Sequence, residues 1–413
     1  MTLSALGGVG PRPAGLPIVD GILFADLLPP DAAHALSVAL YNWHDPYVGV
    51  TTAGVVQRDL YSLQDTGATC RGAVSTAQDF LASLRPNERV VANLPVNADE
   101  WRLWTNALPV WTPKGVRLDR LTEHKRNLAL AVMEASLSPA GFETARNAMK
   151  LNGALGELIE EYRDTLTEFT YHFTVFGEPS STDPWGWQLM GHHVDLNCVF
   201  VGSQLVFAPV FVGAEPTFAL TGEFAGTRVF DLETERALTL RRAMNSNQEE
   251  LFLMGDSLLA AELPEELAGP FNGRHVGGAG ADNLLLPYEG IRGDELTHEQ
   301  QRLLLELSAV YVDRLPSPHA GLKMRQIEDH LNETRFAWRG QYGDTSAFYY
   351  RIHSPVLLVE YDNHPGIFLD NPEPERFHVH TIVREPNGND YGKQLLAQHY
   401  ALHHSGPEHA DHH

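Results

Sequence analysis

The amino-acid sequence predicts an α+β fold: a helical N-terminal portion packed on a large, mostly antiparallel β-sheet that C-terminal strands complete. Three observations lead there. Apolar residues at helical spacing fill most of 75–165 and return over 232–315. Strand-like stretches occupy 170–230 and again 334–385. Between the apolar runs WGWQLMGHHVDLNCVF and QLVFAPVFVGAEP stands a Gly202-Ser203 turn, short enough to make them antiparallel neighbours.

Taken in order, residues 1–50 form an N-terminal extension. It is Gly/Pro-rich at first and then passes into a short helical pattern, DAAHALSVALYNW, capped by Asp31. One large domain is expected over 51–402. Residues 51–75 read as a short strand or loop, and AQDFLASL as a helix that ends at Arg85 before Pro86. Trp101, Trp104, Leu108 and Trp111 pin an irregular segment to the core. LTEHKRNLALAVMEASL sets Leu128, Val132 and Leu137 at helical spacing; Ser138-Pro139-Ala140-Gly141 breaks it, and FETARNAMKLNGALGELIEEYR resumes. Strands follow in YHFTVFGEP, the WGW hairpin, AEPTFAL and TRVFDL. Helices return over 232–315, interrupted by a Gly-rich loop, VGGAGADN, at 276–283. TRFAWRGQY, SAFYYRIHSPVLLVEYDNH and RFHVHTIVRE supply the last strands, and a final helix occupies 389–402. The His-rich tail, 403–413, is expected to be disordered.

With 413 residues, 43% of them hydrophobic and seven Trp among them, the chain can bury a sizeable core. Its formal charge of −23 opposes binding to nucleic-acid phosphates and to anionic membranes. The N-terminus lacks the basic start and apolar core of a signal peptide, and no apolar run is long enough to span a bilayer. A cytoplasmic protein acting on a small molecule is expected, with no nucleic-acid or membrane partner and with a homodimer left open. Cys70 and Cys198 are the only cysteines, which leaves no basis for a disulfide scaffold or a Cys-based zinc site. Cys198 reads as a small buried thiol. The loop at 276–283 lacks the Gly-Lys-Ser/Thr of a phosphate cradle.

The chemistry concentrates on strand faces. Read as one strand, 185–200 has an apolar face (Gln188, Met190, His192, Val194, Leu196, Cys198, Phe200). Its other face, with Trp187, turns polar at His193, Asp195 and Asn197. By the same parity Glu360, Asp362 and His364 share a face, as do His378, His380 and Arg384. Two imidazoles at i, i+2 on a strand point the same way, at a separation suited to one metal ion. Neutral imidazole with an open coordination position is what a catalytic zinc needs. The expected ligands are His378 and His380 with His193 or His192. The expected cofactor is a divalent metal ion, zinc first, with iron or copper as alternatives. Glu360 or Asp362 would take a proton from metal-bound water. Arg384 would hold an anionic part of the substrate or else bridge to Asp390. Asp195, Asn197, Trp187 and Tyr391 would line or support the site. A His193-x-Asp195 pair with His380 has the order of an iron(II) oxygenase triad. There is no G-x-S-x-G elbow and no reactive-Cys signature.

These residues also carry a resemblance. NERVVANLPVNADEWRLWTNAL, LSPAGFETARNAMKL, PWGWQLMGHHVDLN with Gly213-Ala214-Glu215-Pro216, and FYYRIHSPVLLVEYDN through HVHTIVREPNGNDYG occur in that order. Together they resemble the bacterial family catalogued as domain of unknown function 3500, over about residues 50–402. The resemblance implies no settled reaction. The family's hairpin motif typically reads GHHLSLN, and here Asp195 replaces its Ser. That implies a histidine-dominated site in preference to the His-x-Asp triad, while Glu360, Asp362 and Asn197 match the pattern. The expected function is a metal-dependent hydrolase or lyase acting on a small organic molecule. The alternatives are an iron- or copper-dependent oxidoreductase at the same histidines and a non-catalytic small-molecule binding protein.

Overall fold

The computed structural model describes residues 45–403 apart from 109, 111, 112, 264–266, 268–274 and 370. The helix expected from DAAHALSVALYNW and nearly all of the histidine tail lie outside these residues. Helices α1 (Arg71–Ser83) and α2 (Pro86–Ala92) come first. Pro86 both ends the first and opens the second, because its fixed φ and missing N–H suit a first helical turn. The Ser138 break likewise separates α3 (Glu123–Ser136) from α4 (Pro139–Leu158), with the Ser138 hydroxyl accepting the Gly141 N–H at 3.0 Å. The later helices are α5 (Asp231–Ala243), α6 (Ser246–Phe252), α7 (His298–Val312), α8 (Ser317–Asp329) and α9 (Lys393–His403).

Strands β1 (Tyr171–Phe176), β2 (Trp185–Gly191), β3 (Val194–Val201) and β4 (Gln204–Ala214) form one antiparallel meander. Strands β5 (Arg335–Gly340), β6 (Phe348–His353), β7 (Leu358–Asn363) and β8 (Val379–Arg384) form another. The two fuse where β4 pairs antiparallel with β8, from Val210 opposite Val383 to Ala214 opposite Val379. Among the described residues, short edge strands extend the sheet to twelve. The architecture is α+β, and the C-terminal strands complete the sheet that the N-terminal ones begin. Beyond Ala214, neither AEPTFAL nor TRVFDL is one of its strands: Phe218 and Arg228 make a lone bridge, because left-handed Gly222 and Gly226 reverse the chain within a few residues.

The two faces of the sheet differ. Helices cover one: Trp187 donates to Ser136 of α3 at 2.9 Å, and Tyr361 meets Thr234 of α5 at 2.8 Å. Tyr350 on the same face bonds Tyr311 of α7. Loops cover the other, where Gln188 donates to the Trp101 carbonyl and Arg384 to the Gly277 carbonyl. The loop-covered face carries the ionisable groups. Among the described residues, no helix is long and apolar enough to cross a membrane.

Candidate metal centre

The stretch 185–200 is not one strand. β2 ends at Gly191 and β3 starts at Val194, so His192 and His193 are themselves the turn of a hairpin. His193 adopts φ +65°, a left-handed conformation that few non-glycine residues take. Its N–H donates to the Asn106 carbonyl at 3.1 Å, and its carbonyl accepts the Gly213 N–H at 2.6 Å. The turn inverts the expected parity: Met190 lies opposite Asp195 and Gln188 opposite Asn197, so these four share a face. Trp187 pairs with Cys198 on the helix-covered face, stacked on Phe173, and is a core residue, not a site residue. Asn197 is spent within the sheet, accepting from Gln188 at 2.6 Å and donating to the Pro209 carbonyl at 2.8 Å.

The turn projects His193 across β4 toward β8. There its Nε2 lies 3.2 Å from His378 Nε2 and 3.3 Å from His380 Nε2, and the last two are 3.1 Å apart. Three nitrogens that each stand about 2.0–2.1 Å from one tetrahedral ion would be about 3.3 Å from one another. The observed triangle has that size. Gly213 makes the crossing possible, since a Cβ there would sit 2.9 Å from His380 Cδ2 and 3.1 Å from His193 Cδ2.

The tautomer of His378 follows from its other nitrogen. Nδ1 lies 2.8 Å from the Pro365 carbonyl, an acceptor only, so Nδ1 carries the proton and Nε2 presents a lone pair to the triangle. All three rings are buried. Burial, the largest influence on each, holds His378 down to about 4 and keeps His193 and His380 well below the usual imidazole value. Neutral rings with converging lone pairs are the form that binds metal.

His192 does not converge with them. Its Nδ1 lies 2.7 Å from the Asn152 side-chain oxygen, and its ring stacks behind His193 with centroids 3.9 Å apart. Of the two adjacent histidines, His193 is the one that joins the cluster.

Three groups that sequence reasoning did not place in the site surround it. Glu215 accepts from the N–H groups of Ile367, Phe368 and Leu369 and lies 3.7 Å from His378 Nδ1. Burial pushes its carboxyl up to about 6. Its signal was its position in the Gly213-Ala214-Glu215-Pro216 run. His275, at the mouth of the Gly-rich loop, bonds Asp362 Oδ2 through Nδ1 at 2.6 Å. A solitary histidine gave no signal. His364 brings its ring centroid within 4.8 Å of those of both His378 and His380.

Asp362 lies directly opposite His380 on the neighbouring strand, with Oδ1 3.8 Å from His380 Nδ1. The other expected catalytic groups have internal partners. Glu360 accepts from Tyr349 at 2.7 Å and from the Gly277 N–H at 2.7 Å. Arg384, fully buried, donates to the carbonyls of Gly277 and Gly278 and to Asp282 and Asp390, all within 3.0 Å. These two side chains clamp the Gly-rich loop to the sheet, so Arg384 takes the bridging role toward Asp390 and not the substrate role. Tyr391 belongs to the same cluster, donating to Asp282 at 3.0 Å and accepting from Trp104. Asp195 faces half-buried Lys114 instead: desolvation raises the carboxyl and drops the amine to about 7, while each charge partly restores the other.

A cavity of about 1100 Å³ opens between the end of α4 and residues 216–224, floored by Leu369 and Phe377. None of the triad histidines lines it. Neither a curated protein nor a solved structure matches the chain. The model of a family described as protein of unknown function, DUF3500, matches residues 66–393, and the chain that carries this histidine triangle belongs to that family.

Proposed function

We propose that this is a cytoplasmic, metal-dependent hydrolase or lyase acting on a small organic molecule, with a zinc-like divalent ion held by Nε2 of His193, His378 and His380. The observation that carries the reading is the triangle itself, three buried imidazole nitrogens 3.1–3.3 Å apart. Three protein ligands leave a fourth position for water, whose pKa such an ion lowers to about 7. The chain's own groups do the rest. The Pro365 carbonyl fixes the tautomer of His378, and Glu215 stands behind that ring. Glu360 and Arg384 hold the loop that brings His275 to Asp362. His364, packed beside two of the ligands, would be the imidazole to take a proton from water bound there.

The all-imidazole donor set favours zinc over a two-histidine, one-carboxylate iron site. Copper takes the same donors, and a copper EPR signal after aerobic purification would replace the hydrolytic reading with a redox one. The test of the site is metal content by mass spectrometry, together with the thermal shift on adding zinc to chelator-treated protein. Wild type is expected to carry at least one ion per chain, and the His378→Ala/His380→Ala double variant to lose that ion and its zinc-induced shift. Near-zero occupancy in both proteins, with no zinc-induced shift, would end the metal reading.

A further inference from the structure

We propose that a second divalent cation binds beside the first, between His275, Asp362 and Nδ1 of His380, so that the His380 ring bridges two ions. The proposal rests on the triad being a metal site and extends it.

Four observations point there. Asp362 and His380 are directly paired residues of β7 and β8 and so share a face. The donor atoms of His275, Asp362 and His380 all lie within 4.8 Å of one another. Nδ1 of His380, on a residue only 5% exposed, has no hydrogen-bond partner among the described residues. The His275 ring packs against a glycine, Gly278, where a Cβ would come within 3.0 Å of its Nε2.

His275 is hydrogen-bonded to Asp362 at 2.6 Å, whereas the 3.8 Å between His380 Nδ1 and Asp362 Oδ1 separates two readings of that second contact. A carboxylate that merely orients a metal-bound histidine accepts its N–H at hydrogen-bond distance, and 3.8 Å is too long for that. Two ligands each about 2.0–2.2 Å from a shared ion stand about 3.3–3.6 Å apart at tetrahedral angles, so a shift of a few tenths of an ångström brings this pair to ligand spacing. Because Nε2 of His380 points its lone pair into the triangle, the proton of the neutral ring sits on Nδ1. A second ion displaces that proton to solvent and leaves a bridging imidazolate. His275 keeps its own proton by moving it from Nδ1 to Nε2. With about 2.0–2.1 Å from each ring nitrogen to its ion, the bridge holds the ions about 6 Å apart. That is well beyond the roughly 3.5–4 Å of ion pairs that clamp an in-line displacement. The second ion therefore fixes His380 and offers an open position of its own for an oxygen ligand.

The experiment is zinc titration of chelator-treated full-length protein by calorimetry, with bound metal counted by mass spectrometry. Wild type is expected to bind two zinc ions per chain, and calorimetry in buffers of different ionisation enthalpy to show a proton released with the second. His275→Ala, His275→Asn and Asp362→Asn should each bind one, with circular dichroism unchanged. Loading with two equivalents of copper(II) should give an EPR spin count well below the copper content, because the ring couples the two ions, and Asp362→Asn should restore the full count for its single copper. One ion in wild type, retained by the His275 and Asp362 variants, overturns the second position and leaves the triad standing. Two ions that survive those variants also overturn it, while no bound zinc in wild type removes the triad as well.

Discussion

At Gly213 the absence of a side chain is what allows His193 to reach over one strand and meet His380 on the next. Gly213→Ala would place a methyl group against both rings and the Val379 carbonyl. Overpacking of this kind costs about 1–3 kcal/mol, and here the rings are the movable neighbours. The expected result is a folded protein, destabilised by that amount in urea, with zinc affinity lowered tenfold or more in competition with a chromophoric chelator. Unchanged affinity would mean that the triangle does not depend on this glycine. At the same scale, His378 and His380 were legible in the sequence because i, i+2 spacing on a strand fixes direction without further information. His193 was legible only as one of an adjacent pair, since its left-handed backbone, which aims the ring, is imposed by partners 87 and 20 residues away, Asn106 and Gly213. His275 was hidden because its contact with Asp362 spans 87 residues.

Among elements, the hairpin of β2 and β3 and the Gly-rich loop account for most differences between expectation and structure. Two-residue hairpin turns usually announce themselves by Asn-Gly or Asp-Gly. A His-His pair does not, so sequence parity runs straight on across the turn and sets Trp187 on the wrong face. The loop at 276–283 carries no phosphate-cradle motif, and nothing local reveals that Glu360 and Arg384 are its anchors. Arg384→Met should test that role. Removing the cation leaves Asp282 and Asp390 facing each other in a buried site, and breaking a buried pair costs about 3–5 kcal/mol. Urea denaturation should show that loss, with faster amide exchange across 276–283. An arginine that served only to grip substrate would leave both measurements unchanged.

For the molecule as a whole, the fold class was legible because periodicity is local, whereas the pairing of β4 with β8 joins segments more than 160 residues apart and leaves no local mark. That sheet buries many neutral histidines, and their protonation sets how the protein meets acid. Burial is the first cause that holds His192 near 3, His353 near 3 and His378 near 4. In the unfolded chain each takes up its proton near 6.5. Between those limits the unfolded state binds more protons, so stability falls as pH drops from about 6.5 toward 4, by on the order of 3 kcal/mol for each fully expressed shift. Buried carboxyls work the other way: Asp390, raised to about 7, Glu215, raised to about 6, and Asp195, also pushed up by burial, hold protons in the folded state over this range and offset part of the loss. The metal-free protein should therefore lose melting temperature steadily from pH 7 to pH 4, and scanning calorimetry at half-unit steps would show it. A flat profile over that range would mean that these imidazoles are already charged in the folded state.

Because the triangle takes one corner from the first meander and two from the last strand of the second, its assembly has a built-in order in time. While the polypeptide is still emerging from the ribosome, the turn at His193 can fold but has nothing to share an ion with until His378 and His380 arrive almost two hundred residues later. Any ion held at this triangle would therefore have to wait for β8, and a product cut short before that strand would carry only one of the three imidazoles.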